Sequence, residues 1–287
     1  MNLYTINTGN FKLDGGAMFG VVPKTMWQKI NPPDENNLCT WALRCLLVEH
    51  DGRLLLIDNG IGNKQDAKFF GHYYLHGDDT LDKSLAAHGF HRSDITDVLL
   101  THLHFDHCGG SIERQGDKFV PAFANATYWS NEKHWQWAVR PNDREKASFL
   151  KENILPIQES GQLQFVDAPE AGTGDRLASL PFMNGLSLRF VNGHTEKMML
   201  PQVEYKGRTI VFMADLLPSA GHIPIPYVMA YDTRPLTTLG EKKSFLSEAA
   251  AGNYVLFFEH DHQRECCELV ETEKGVRMGR EFSLREL

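Results

Sequence analysis

The chain contains no run of eighteen apolar residues, and its first ten residues lack a basic segment followed by an apolar core. Neither a membrane-spanning helix nor an export signal is therefore expected, and the protein reads as cytoplasmic with no membrane partner. Positive charge is also in short supply. Lys and Arg total 29 against 37 Asp and Glu, a net charge of −8, and no basic stripe relieves that balance. This balance argues against a nucleic-acid partner and disfavours polyanionic substrates. Cysteine is sparse and odd in number, five in 287 residues, which rules against a disulfide framework. Cys39 and Cys45 sit in apolar sequence and read as small buried hydrophobes. Cys266 and Cys267 are adjacent, a poor arrangement for a bridge or a zinc knuckle. Cys108 is expected to pack behind a turn.

What is present is 42% hydrophobic residues, enough to bury a substantial core. The first sixty residues alternate short apolar runs with Gly, Asn and Pro and read as antiparallel strands. Trp41 to Glu49 and Arg53 to Asp58 flank an Asp51-Gly52 hairpin signal. Asp58, just past the second run, either reaches toward a ligand histidine or caps its own turn. A helix is expected between Thr80 and Gly89, followed by a strand from Asp97 to Leu100. The stretch from Thr127 to Leu155 reads as a helical insertion, with helices around Asn131 to Val139 and Arg144 to Ile154. In it His134, Trp135 and Trp137 are expected to be packing groups. Ser160 to Gly185 reads as strand with Gly- and Pro-rich loops.

The densest chemistry lies in Thr101 to Gly110, which reads Thr-His-Leu-His-Phe-Asp-His-Cys-Gly-Gly. His102 and His104 project to one face of an extended segment, and Asp106 and His107 follow where Gly109 and Gly110 allow a sharp turn. Imidazole and carboxylate are the donors that borderline cations such as zinc prefer. Three later strands repeat the layout. Leu186 to Val191 runs into Gly193-His194, Arg208 to Met213 into Ala214-Asp215, and Tyr254 to Phe258 into His260. Two cations sharing a carboxylate lie about 3.5–4 Å apart and bring the pKa of a bound water from about 15.7 to near 7. Ester, lactone, thioester and phosphoester hydrolysis are all within reach of such a centre, with Asp106 placed to move the proton. Phe105, Met198, Ile223 and Tyr227 are candidates for an apolar substrate wall, while 223–229 reads first as a proline-broken loop against the core.

The set His102-x-His104-x-Asp106-His107, Gly193-His194, Ala214-Asp215 and His260 resembles the ligand signature of the metallo-β-lactamase superfamily. The resemblance implies an α+β fold, a four-layer αβ/βα sandwich with two mixed β-sheets and helices outside. It implies a single domain over residues 1–287 with the helical insertion around 127–155. It further implies two divalent metal ions, zinc first, with manganese or iron as alternatives. His102, His104 and His194 would hold one ion, Asp106, His107 and His260 the other, and Asp215 would bridge them. Asp106 and Asp215 would be the catalytic carboxylates and Asp58 a partner of a ligand histidine. The motif and length are similar to acyl-homoserine lactonases and methyl-parathion-hydrolase-like enzymes. Those lactonases often carry a tyrosine three residues past the bridging aspartate, where this chain has Pro218; the nearest are Tyr227 and Tyr231. The implied function is metal-dependent hydrolysis of a small, apolar ester or lactone. A phosphotriesterase or phosphodiesterase on the same site and an iron-dependent oxidoreductase are the alternatives, and a homodimer is left open.

Overall fold

The computed structural model describes residues 1–170 and 177–287. The chain divides into two compact units, one comprising Met1–Gly9 with Leu43–Ala168 and the other Asn10–Ala42 with Pro169–Leu287.

The first unit is built on a six-stranded mixed sheet in the order Asn2–Asp14, Leu38–His50, Arg53–Ile57, Asp97–Leu99, Thr127–Asn131, Leu163–Val166, of whose first two strands it holds residues 2–9 and 43–50. The hairpin signal at 51–52 is met: Asp51 and Gly52 take φ of 50° and 74°, the paired left-handed conformation whose twist suits a tight antiparallel turn. The next three pairings are parallel. Parallel strands end at one edge of a sheet, so the residues after Ile57, Leu99 and Asn131 gather there. Helices Leu81–Ala87, Glu132–Val139 and Lys151–Glu159 bury Leu81, Leu85, Trp135, Ala138, Ile154 and Ile157 in one core with Leu47, Leu56, Val98 and Tyr128. The first of these is the helix expected between Thr80 and Gly89, and the Thr80 hydroxyl caps it, accepting from Lys83 N at 3.2 Å.

Three expectations change here. Two short helices, Gly15–Phe19 and Lys24–Trp27, interrupt the strand-rich opening. Thr127–Asn131, read as the opening of a helical stretch, is a strand of the sheet; its alternation of Tyr128 and Ser130 inward fits the two-residue period. No regular helix forms over 144–150: the Asn142 side chain accepts from Arg144 N and Glu145 N at 2.9 and 3.1 Å, but the turn it opens is not continued into a helix. The helix begins only at Lys151.

The second unit carries a seven-stranded sheet in the order Gly275–Phe282, Cys266–Thr272, Val255–Phe257, Arg208–Phe212, Met198–Tyr205, Leu186–Val191, Ala178–Met183. Every pairing is antiparallel except Arg208–Phe212 with Val255–Phe257. A parallel pair requires a crossover, and the helix Pro235–Ala251 supplies it, burying Phe245, Leu246 and Ala249. The consequence is local: Asp215 and His260, which follow the two strands, emerge at the same sheet edge. The strand reading for 160–185 holds at Leu163–Val166 and Ala178–Met183, while 171–176 lies outside the described residues.

Candidate metal centre

In the first unit, the segment after Asp97–Leu99 does not simply turn at its glycines. Thr101–His104 is irregular, and a helical turn, Phe105–Cys108, then carries Asp106 and His107. His102, His104, Asp106 and His107 are all buried. His102 Nε2 lies 3.1 Å from His104 Nδ1, and the His102 and His107 ring centroids are 3.9 Å apart. Asp58 is the organiser of this group. Its carboxylate accepts from Thr101 N at 2.8 Å, Thr101 Oγ1 at 2.6 Å and His107 Nδ1 at 3.1 Å. The alternative reading of Asp58 as a residue capping only its own turn is thereby replaced. Asp58 holds a left-handed φ of 55°, a conformation that costs a non-glycine residue and that this hydrogen bonding sustains.

The turn is clamped from behind. Asn59 N donates to His107 O at 2.9 Å, and Gly110 N to Gly60 O at 2.9 Å. A Cβ on Gly109 would sit 2.1 Å from Ile61 O and one on Gly110 2.2 Å from Asn59 O, so only glycine admits this approach. Cys108 packs behind the turn as expected: it is fully buried, its thiol donates to Leu103 O at 3.3 Å, and burial pushes it up to about 12. His134 is more than packing, since its Nε2 accepts from Leu103 N at 2.9 Å, between two of the histidines. Phe105 is buried and meets Tyr73 and Phe69 at centroid distances of 4.7 and 5.3 Å. Burial first, and the Asp106 carboxylate second, push Tyr73 up to about 12, so its phenol stays protonated.

In the second unit, one carboxylate stands between two imidazoles. Asp215 Oδ2 is 3.1 Å from His194 Nε2, and Asp215 Oδ1 is 3.2 Å from His260 Nε2. Ala214, immediately before it, has φ of 40°, another strained position at the end of a strand. His194 Nδ1 meets Asp232 at 2.8 Å and His260 Nδ1 meets Ala42 O at 2.8 Å. Burial alone would lower the His194 pKa, but the Asp215 and Asp232 carboxylates raise it to about 10. The turn carrying His194 is fixed by Glu241, whose carboxylate accepts from Asn192 N and Gly193 N at 2.6 and 3.0 Å.

The remaining sequence candidates fall as follows. Met198 opens a strand and is wholly buried, and Ile223 is 1% exposed, so both belong to the core. Tyr227 is partly exposed, with its ring edge-on to Phe19. Tyr231 is 39% exposed. Asp232 and Glu241 had no local signal, and His134 was read only as a packing group; Asp232 lies 38 residues from the histidine it holds, and only the crossover in the fold joins them.

The donor set suits a divalent cation. A carbonyl acceptor fixes the His260 proton on Nδ1, and the Thr101 hydroxyl, which donates to Asp58, takes the His102 Nδ1 proton at 3.1 Å. The His260 Nε2 lone pair then faces the Asp215 carboxylate, acceptor against acceptor, and the His102 Nε2 lone pair faces the His104 ring. A cation between such groups turns that repulsion into ligation.

Residues 44–260 match the metallo-β-lactamase superfamily. The chain belongs to that superfamily and has its α+β fold, which makes it an enzyme of the metal-dependent hydrolase class. Among solved structures it is similar to a probable metal-dependent hydrolase from Staphylococcus aureus, at 27% identity over 100% of this chain and 98% of that one, with a TM-score of 0.87. It is also similar in fold to AidC, a dizinc quorum-quenching lactonase in complex with a product, at 20% identity, 98% and 95% coverage and a TM-score of 0.78. A third is an N-acyl homoserine lactone hydrolase with its product N-hexanoyl-L-homoserine at the catalytic metal centre, at 19% identity, 91% and 93% coverage and a TM-score of 0.67. Curated protein sequences yield no match. Among the described residues no helix is long and apolar enough to cross a membrane.

Proposed function

We propose that the protein hydrolyses a small, largely apolar ester, with a lactone as the reference substrate, at a dinuclear metal centre. The observation that carries this is Asp215, whose two oxygens each face a different imidazole, the arrangement a bridging carboxylate needs. His102, His104 and His194 would hold one ion and Asp106, His107 and His260 the other. When bound, a divalent pair, zinc first with manganese or iron as alternatives, supplies an acidified water and stabilises negative charge developing on the substrate oxygen. Asp58 and Asp232 hold His107 and His194 by their Nδ1 atoms, which keeps the opposite ring nitrogens available as donors. Asp106, buried and with Oδ2 3.8 Å from His107 Nε2, is the carboxylate assigned to proton transfer, and Asp215 shares that role. Phe105, Phe69 and Tyr73 form an aromatic group next to Asp106 in sequence and space, which favours a hydrophobic arm over a polyanion. The enzyme is read as cytoplasmic, with a small molecule rather than nucleic acid or a membrane as its partner.

The deciding experiment is turnover by metal-loaded protein across lactones, aryl esters, thioesters and phosphotriesters with graded alkyl arms. Neutral esters are expected to lead, with kcat/KM rising at most about fourfold per methylene, the equivalent of about 0.8 kcal/mol. Phe105→Ala should flatten that rise without removing metal. Preferred turnover of charged phosphomonoesters would end the reading.

A further inference from the structure

The first unit holds a cleft of about 620 Å³, lined among others by Lys64, Asp82, His91, Arg92, Glu113 and Arg114. None of these is a proposed metal ligand, and the volume lies in the range of small-molecule sites, about 300–1,000 Å³. The charge pairing decides what it suits. Arg92 is engaged by both carboxylates: Nε and Nη2 donate to Asp82 at 2.5 and 3.1 Å, and Nη1 lies 3.7 Å from Glu113. His91 is tied to its own turn, its ring meeting Ser93 while its backbone N–H donates to Asp94. Two cations are then left over, Lys64 and Arg114, and neither has an ion-pair partner among the described residues.

Each of the two is held in place without being neutralised. Arg114 lies over the Phe119 ring, 4.9 Å from its centroid. Lys64 is only 5% exposed, and its ammonium makes one hydrogen bond, to Gly109 O at 2.5 Å. An ammonium has three donors, and a buried cation without a counter-charge is costly. Burial accordingly lowers Lys64 to about 8, with Glu152 acting on it only through space. An anion in the cleft would relieve that cost. The Asp82 and Glu113 carboxylates, for their part, are acceptors that would repel a bare anion but suit hydroxyl groups.

We propose that this cleft binds a small hydroxylated organic anion, a phosphate or a carboxylate, whose charge is met by Lys64 and Arg114 and whose hydroxyls are met by Asp82 and Glu113. The site is separate from the reaction proposed above and does not depend on it. Lys64 connects it to the metal turn, since the Gly109 carbonyl it holds comes two residues after His107.

The test is titration calorimetry on metal-loaded protein with ribose 5-phosphate and gluconate as the two anion arms and ribose as the neutral control. One equivalent of at least one anion is expected to bind, the better arm naming the charged group, while ribose gives no heat. Arg114→Ala should weaken that binding roughly tenfold or more, the worth of a hydrogen bond to a charged group. Lys64→Met should abolish it. Because Arg114 is exposed, its variant is expected to fold, as circular dichroism would verify, and it decides the question even where Lys64→Met does not fold. His104→Ala should leave the affinity within about twofold. The proposal is overturned if neither anion binds, if ribose binds as well as they do, if Arg114→Ala has no effect, or if His104→Ala removes the binding and so places the anion on the metals.

Discussion

Asp232 and Asp58 determine which nitrogen of a histidine carries the proton, and each does so for a single ring: Asp232 for His194 at 2.8 Å and Asp58 for His107 at 3.1 Å. Replacing Asp232 by Asn keeps the shape and removes the charge. Metal affinity is then expected to fall about 10–100-fold with the fold retained, the usual cost of losing such a partner. Competition with a chromogenic chelator would show it, and equal affinities would remove Asp232 from the site. His222 leads to a second prediction at this scale. It is buried, stacked 4.7 Å from Phe19, and donates through Nε2 to Met18 O at 2.9 Å while Ser219 lies at Nδ1. Burial lowers it from 6.5 to about 3. Between those values the unfolded chain binds a proton that the folded chain refuses, so stability falls as pH drops below about 6.5, by up to about 1.4 kcal/mol per pH unit. Urea midpoints of His222→Gln from pH 7 to pH 4 should show that one-proton slope missing. Parallel curves for variant and native protein would contradict it.

At the scale of elements, the turn 109–111 and the loop after Ile57 are one packed unit, held together by glycines. A methyl on Gly109 would meet Ile61 O at 2.1 Å, backbone that cannot swing aside. Gly109→Ala is therefore expected to cost about 1–3 kcal/mol and to lower metal content, because the same turn carries His107. Denaturant unfolding with elemental analysis would check both, and a stable, fully loaded variant would refute the packing argument. Most elements near the site were legible in sequence. The Asp51-Gly52 hairpin, the helix after Thr80 and the strands before His194, Asp215 and His260 all follow from turn chemistry and apolar spacing. The strand Thr127–Asn131 was not, since five residues abutting a helix leave too short a period to distinguish.

For the whole molecule, the seven proposed ligands, from His102 to His260, set the expected metal content. Elemental analysis is expected to find close to two equivalents of transition metal per chain, seven donors being enough for two ions. Stripping them should lower the thermal midpoint, since a ligand held at about a thousand times its Kd contributes about 4 kcal/mol. A stoichiometry of one or below under metal-replete conditions, or an unmoved midpoint, would defeat the dinuclear reading. The sequence by itself determined the family and the chemistry, because histidine and aspartate at motif spacing are covalent facts: His102, His104, Asp106 and His107 arrive together however the rest folds. Tertiary structure alone decided how those groups are held. Asp58 reaches His107 because parallel strands end at a common edge, Asp232 reaches His194 from the crossover that follows Arg208–Phe212, and the cations Lys64 and Arg114 line one cleft, 50 positions apart, because packing rather than spacing brought them there.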